Sequence, residues 1–345
     1  MLIPILLFIL GLICLIKGGD WFVDGAAGLA RRFNLPEILI GATIVSIGTT
    51  LPEVMVSATS AATGHGELAY GNAIGSIICN TALIAAITMA IKPAKIEKKS
   101  LILPAVTLFV SAAVYCAISY TTGIFSRPVG FILLAMFVMY IIISVRQSLS
   151  SIKGRNHTGE AALVTDSRLG EGSEALADAG SVEEEKKEMP LWKMLLFLVL
   201  GAALIAVGAR LLVDNGTKIA SALGVPESVI ALTFVALGTS LPELVTAITS
   251  LVKGHGALSV GNILGANIFN IVLVSGLSIV INPFPLPASK LIMGQNASLV
   301  IDLPLMVIVS LIMVLPALIK GKLYRWQGIL LLAIYAGFVV FQFAT

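Results

Sequence analysis

The chain has 345 residues, of which 57% are hydrophobic and only 12% charged, with a formal net charge of +3. An ordinary soluble domain carries about 25% charged residues, so a water-soluble core is excluded and lipid is the solvent for most of this sequence. Cys14, Cys79 and Cys116 are scattered, with no C-x-x-C or Cys/His cluster, which argues against zinc, redox chemistry and a disulfide framework.

Met1–Ile16 is apolar and has no basic residue before Lys17. A signal peptide would begin with a positive region, so this stretch is expected to open a retained transmembrane helix. A helix needs about 20 apolar residues to cross the hydrocarbon. Ten segments qualify, near 2–24, 37–62, 67–91, 101–121, 127–147, 191–213, 227–252, 257–281, 291–317 and 325–344. The predicted fold class is therefore all-α, a polytopic membrane protein with ten transmembrane helices. Between the fifth and sixth spans lies the one long polar stretch, 148–190, with the run Glu183-Glu184-Glu185-Lys186-Lys187-Glu188. Its composition predicts a solvated, flexible linker dividing the chain into halves at 1–147 and 191–345.

Lysine and arginine orient the spans, because cytoplasmic loops are rich in both. The loops after spans 1, 3, 5, 7 and 9 hold 17 of the 22 basic residues, while the opposite face holds Arg127, Lys218 and Lys290. Both termini are expected outside and the linker in the cytoplasm. Shifting the chain by 190 residues aligns Pro36–Asn80 with Pro226–Asn270 without a gap, with 21 identities in 45 positions. GTTLPE (48–53) falls on GTSLPE (238–243), GHG (64–66) on GHG (254–256), and the GN..G patterns also coincide. Five spans separate the copies, so the second enters the membrane upside down and the halves form two inverted five-helix repeats. Inverted repeats of this kind build transporters, with the substrate site near the midplane where the halves meet.

The repeated motif carries the chemistry. Glu53 and Glu243 sit near the middle of spans 2 and 7, where an ionised side chain costs roughly 2.5–3.5 kcal/mol on insertion scales. No Lys or Arg is near either in sequence, so bound cations are the natural compensation; a neutral, hydrogen-bonded glutamate is the alternative. Pro52 and Pro242 each remove an amide donor and free the carbonyl four residues back, on Gly48 and Gly238. A broken or kinked helix is expected at each copy, with loose carbonyls in need of a partner. Thr49 and Glu53 are four apart, as are Thr239 and Glu243, and so share a face wherever the helix persists. Asn80 and Asn270 add carboxamides inside spans 3 and 8, with Ser76 in the first copy only, while Asn72 and Asn262 lie nearer the membrane face. The glycines Gly71, Gly75, Gly261 and Gly265 read as close-packing positions. His65 and His255 in the GHG turns read as turn or interface residues, and Asp24 and Asp214 as capping or interface residues. Asp302 has no counterpart in the other half. The candidate ligands are all oxygens, without imidazole or thiolate, which selects hard ions such as Ca²⁺ and also suits Na⁺. Two carboxylates balance one Ca²⁺ or two Na⁺.

At these residues the sequence resembles the prokaryotic type of the sodium/calcium exchanger family, in the Ca²⁺/cation antiporter superfamily. Its two α-repeats carry G-T-S-L-P-E and G-N-x-x-G-S-N-x-x-N/D. The resemblance implies that Glu53 and Glu243 are the central ligands of Ca²⁺ and Na⁺. It further implies that Thr49, Thr50, Thr239 and Ser240 contribute hydroxyls or carbonyls, and that Ser76, Asn80 and Asn270 line the remaining sites. The carbonyls of Ser46 and Ala236 fall at positions used for Na⁺. Two departures stand out: Asn270 occupies a position where many prokaryotic and potassium-dependent members have Asp, and Ala266 stands opposite Ser76. The expected activity is exchange of Na⁺ for Ca²⁺ across the plasma membrane by alternating access, extruding Ca²⁺, with spans 2, 3, 7 and 8 as ion core and spans 1 and 6 as the moving pair. Ca²⁺/H⁺ exchange through the same glutamates is the nearest alternative, and a passive Ca²⁺ channel a further one. H-E-x-x-H, G-x-S-x-G and P-loop patterns are absent, so no enzyme is expected. The expected partners are the bilayer and the two ions, with no nucleic acid and no cofactor.

Overall fold

The computed structural model describes residues 2–166, 189–223, 238–288, 291–292 and 294–344. The described residues are helical almost throughout. Its helices are α1 (Leu2–Arg32), α2 (Glu37–Ala62), α3 (Gly66–Ile91), α4 (Lys98–Thr121), α5 (Arg127–Asp166), α6 (Leu191–Ala222), α7 (Leu241–Val252), α8 (Gly256–Ile281), α9 (Ser298–Lys320) and α10 (Arg325–Ala344). Among the described residues nine of these are long and apolar enough to cross a membrane, α7 being the shorter one. The predicted seventh span, 227–252, lies outside the described residues as far as position 237. The fifth helix is longer than hydropathy alone predicts, since α5 continues to Asp166 and takes up the first part of the expected linker. The acidic run 183–188 lies outside the described residues.

The inversion is visible in how the glycines pack. A Cβ added at Gly11 would stand 2.9 Å from the Gly208 carbonyl, at Gly18 2.9 Å from that of Gly201, and at Gly25 2.7 Å from that of Met194. Residue numbers rise along α1 while they fall along α6, so these repeat-related helices run antiparallel with their backbones nearly touching. Such contact requires residues without side chains at the crossing. Helices α2 and α8 instead run parallel: Gly261 meets the Ile38 carbonyl, and Gly265 meets Ala42 and Ser46. Gly276 of α8 packs on Gly130 of α5, and its counterpart Ala86 of α3 receives Gly328 of α10, so the same junction is built twice.

Burial separates an inner from an outer layer. The apolar windows of α8 and α3 are 83% and 72% buried, against 22% for α1 and α5 and 17% for α10. The inner helices therefore need not be amphipathic toward lipid, and they carry the polar residues of the repeat. The hairpin between α2 and α3 is closed by Gly64 at φ 85°, with the His65 amide donating to the Ser60 carbonyl at 2.8 Å. Gly254 at φ 84° and the His255 amide to Ser250 repeat this between α7 and α8. A left-handed residue after the last helical turn strongly favours glycine, which accounts for the first glycine of each GHG sequence.

Candidate ion-binding site

Local irregularities of the inner helices place the site. α2 is wound as a π turn over Gly41–Val45, α3 over Asn80–Ala85 and α8 over Asn270–Val274. The repeat-related asparagines Asn80 and Asn270 thus open equivalent π turns, a feature that concentrates at functional positions because it frees backbone groups. Freed carbonyls are reused in α2: the Ser46 hydroxyl donates to Gly41 O at 2.7 Å and the Tyr140 hydroxyl to Ala42 O at 2.9 Å.

The two prolines act differently. Before Pro242, Gly238–Ser240 form a turn and α7 starts at Leu241. Around Pro52 the helix runs unbroken from Ser46 to Ala62. Of the break or kink expected at Gly48 and Pro52, no break is made: the proline takes one bond from the helix, and the local irregularity of α2 lies one turn upstream, in the π segment.

Glu53 and Glu243 are fully buried, close enough that the charge of Glu243 acts on Glu53. Ser46, Thr49, Thr50, Ser76, Asn80, Ser240 and Asn270 are likewise buried, and Thr239 is half-buried. Ala236 lies outside the described residues. Among the described residues, neither carboxylate has a hydrogen-bond partner, nor do the carboxamides of Asn80 and Asn270 or the hydroxyls of Thr50 and Ser240. Thr49 and Thr50 lie toward Glu243, and the Thr49 proton goes elsewhere. The ion pairs formed among the described residues involve Arg210, Lys253 and His255, none of them with these glutamates. Buried polar groups are nearly always satisfied, and buried charges are paired or bind metal. A cluster of unpartnered oxygens with two carboxylates at its centre fits a hard cation of the Ca²⁺ or Na⁺ type, whose bonds are all to oxygen.

Two residues matter more than their sequence positions suggest. Asn262 accepts the Thr49 hydroxyl at 3.1 Å and the Ser46 hydroxyl at 3.3 Å, and its main-chain oxygen accepts Ser46 at 2.9 Å. Asn72, its counterpart, accepts the Thr239 hydroxyl at 3.4 Å and donates to Ser57 Oγ at 2.8 Å and to Glu53 O at 3.3 Å. Each asparagine thus reaches across to the threonine of the opposite repeat, and the two halves are cross-clamped beside the glutamates. The GN..G pattern carried that signal; what hid it was linear distance from the motif. Asn267, which donates to Thr81 Oγ1 at 2.7 Å, is a further buried polar contact between the halves. Over both prolines lie Phe22 of α1 and Ala202, Ile205 and Ala206 of α6.

The histidines stay outside the cluster. His255 Nδ1 meets Glu37 Oε1 at 2.6 Å, and His65 Nδ1 meets the Thr63 hydroxyl at 3.0 Å. Asp24 and Asp20 hold Lys253 at 2.8 and 3.3 Å, an interface between α1 and the end of α7, while Asp214 pairs with Arg210 at 3.6 Å.

The profile of the sodium/calcium exchanger proteins matches residues 3–146 and 193–344. The chain belongs to the sodium/calcium exchanger family. It is 33% identical to an uncharacterized membrane protein of Methanocaldococcus jannaschii, over 95% of this chain and 94% of that one. It is 30% identical to the sodium/calcium exchanger MaX1 of Methanosarcina acetivorans, over 98% of each. Among solved structures it is similar to the sodium-calcium exchanger NCX_Mj soaked with Na⁺ and Sr²⁺, with a TM-score of 0.74, 30% identity and 97% of each chain covered. The exchanger is accordingly a multi-pass membrane protein of a cation/Ca²⁺ antiporter family, and its relatives named here by activity are exchangers, not enzymes.

Proposed function

We propose that this exchanger moves Ca²⁺ against Na⁺ by alternating access and uses the Na⁺ gradient to extrude Ca²⁺ through the plasma membrane. The observation that carries the reading is the pair of buried carboxylates, one from each inverted half, which have no hydrogen-bond partner among the described residues, together with buried neutral oxygens of the same repeats that also lack one there. Glu53 and Glu243 are the central ligands. Thr50, Ser240, Asn80 and Asn270 complete the cage, with Ser76 and the main-chain oxygens of Ser46 and Ala236 at its margins. Thr49 and Thr239 hold the cross-clamps and retain lone pairs for a cation. One Ca²⁺ or two Na⁺ neutralises the pair. Without either, the exchanger must carry buried charge across the switch, at a cost of several kcal/mol per ion in a dry interior. That penalty discourages the empty transition and couples the two fluxes. α1 and α6, which lie over both prolines, are the moving pair. Both termini face outside and the segment 148–190 faces the cytoplasm, dividing two five-helix halves.

In proteoliposomes, Glu53→Gln or Glu243→Gln abolishes Ca²⁺ uptake driven by an outward Na⁺ gradient. Full activity in either variant sinks the assignment. Uptake by the wild-type protein under a pH gradient, with Na⁺ absent, selects Ca²⁺/H⁺ exchange instead. Uncoupled flux that follows the Ca²⁺ gradient alone selects a channel.

A further inference from the structure

We propose that the exchanger holds one acyl chain of a surrounding phospholipid in a groove between α2 and α6, level with Glu53. The groove measures about 570 Å³ and runs along Ile44–Met55 of α2 and Leu198–Ala206 of α6, with Phe22 of α1 at its floor. Clefts of about 300–1,000 Å³ are the usual size for seating a small ligand. Ile44–Met55 brackets Glu53, so the groove lies at mid-membrane depth.

The chemistry of the groove names its occupant. Each described residue that lines it is apolar, so its walls offer no side-chain partner to a headgroup or an ion, and an apolar cavity stays dry. Its rim is open sideways: Leu51, Met55 and Val199 are 53%, 64% and 67% exposed, whereas Phe22 at the floor is 2% exposed. The rim is continuous with the outer apolar surface of α1, α2 and α6, which lipid covers in a membrane-spanning protein. Hydrocarbon is the solvent at that depth, and an unfilled groove would forfeit the dispersion contacts of its lining.

Three alanines make the groove. Ala202, Ala203 and Ala206 line its α6 wall, and the repeat-related residues of α1 are Leu12, Ile13 and Ile16. Gly11 and Gly18 fall on Gly201 and Gly208 in the same register. The corresponding crevice, between α1 and α7, has about 340 Å³ and includes Asp20 and Lys253 in its lining. Larger side chains narrow that copy, and the α6 side keeps the all-apolar recess at midspan. Its floor is thin. Behind Phe22 and Gly48 lies a space of about 10 Å³, room for one water at most, which touches Thr49 and Pro242. A chain seated on Phe22 therefore closes the ion cluster from the lipid side. It also stands between α6 and the helix that carries Glu53, so that α6, if it moves as proposed above, slides past α2 over this chain.

The test is photo-crosslinking of the full chain, reconstituted in vesicles of phosphatidylcholine that bears a diazirine at mid-chain, with the adducts mapped by peptide. Adducts on Ile44–Met55 and Leu198–Ala206 should exceed at least fivefold those on the exposed face of α10 around Ile329, which any neighbouring lipid touches. Ala202→Leu/Ala203→Ile, which copies the α1 residues into α6, should cut the groove adducts at least fivefold and leave those on α10 unchanged. Adducts spread evenly over the lipid-facing helices, or groove adducts that survive the filling, overturn the site. If the double variant fails to fold, Ala203→Ile alone must cut the groove adducts at least twofold, and unchanged adducts overturn the site. The consequence for transport rests on the moving pair proposed above: with fixed side chains in place of the lipid chain, Na⁺-driven Ca²⁺ uptake should slow at least threefold. Lost adducts with unchanged uptake would refute the sliding of α6 past α2 and leave the lipid site standing. Because crosslinking needs no transport, failure of the Na⁺/Ca²⁺ reading would not alter the adduct map.

Discussion

Asn262→Ala removes the acceptor that Thr49 uses at 3.1 Å and that Ser46 uses at 3.3 Å. The two hydroxyls do not suffer equally. Ser46 keeps Gly41 O at 2.7 Å and the Asn262 main-chain oxygen at 2.9 Å. Thr49 keeps only Ser46 O at 3.5 Å, the outer limit of a hydrogen bond. An abandoned buried hydroxyl costs about 1–3 kcal/mol. Removing the unpartnered Asn262 Nδ2 offsets part of that loss, so a net destabilisation of about 1–2 kcal/mol is expected. Since the cost arises from one pair, a double-mutant cycle isolates it. In detergent, Asn262→Ala should lower the thermal midpoint, and Thr49→Val should lower it less. The double variant should be no less stable than Asn262→Ala alone. Strictly additive losses would show that the clamp carries no coupling between the halves and would refute the reasoning.

Two further outcomes separate packing from ion binding. Asn80→Ala and Asn270→Ala each delete a buried carboxamide without a partner, so thermal stability in ion-free detergent should hold or rise while the stabilisation gained on adding Ca²⁺ falls; a loss of ion-free stability of more than about 2 kcal/mol would mark them as structural instead. Gly18→Ala places a Cβ 2.9 Å from the Gly201 carbonyl, whereas a Cβ at Gly337 has nothing within 4 Å; overpacking of about 1–3 kcal/mol is expected for Gly18→Ala, read as a lower thermal midpoint and slower uptake, with Gly337→Ala unchanged on both measures.

The span pattern and the inversion were legible because both rest on signals that accumulate along the chain: runs of apolar residues, a one-sided distribution of Lys and Arg, and a gapless repeat. Glu53, Glu243, Asn80 and Asn270 stand out as candidate ligands in the sequence because a polar side chain in an apolar span is conspicuous. The role of Asn72 and Asn262 was harder to see, since each works on a threonine that is distant in sequence and comes from the opposite half. The unequal behaviour of the prolines was also hidden. Gly48–Pro52 and Gly238–Pro242 are almost the same sequence, yet α2 stays helical through its copy while the second copy is a turn leading into α7. Local propensity is equal at the two places, so tertiary context decides the difference.

The cross-clamps bear on why a duplicated site need not work symmetrically. Thr49–Asn262 is reinforced by the Ser46 hydroxyl, which reaches both the side chain and the main chain of Asn262. The position equivalent to Ser46 is Ala236, which has no hydroxyl, so Thr239–Asn72 cannot have the same support whatever conformation the chain adopts there. Ser76 against Ala266 adds a second difference of the same kind. Two inverted half-sites that are chemically unequal cannot have equal free energies when their environments are exchanged by the switch. If the exchanger alternates access as proposed above, its inward-open and outward-open forms should therefore differ in stability even without a gradient. On that proposal a ligand shifts the balance only by its differential affinity, so the resting bias is set by residues at which the copies differ, while the proposed ligands of the shared GT(T/S)LPE core set what is carried.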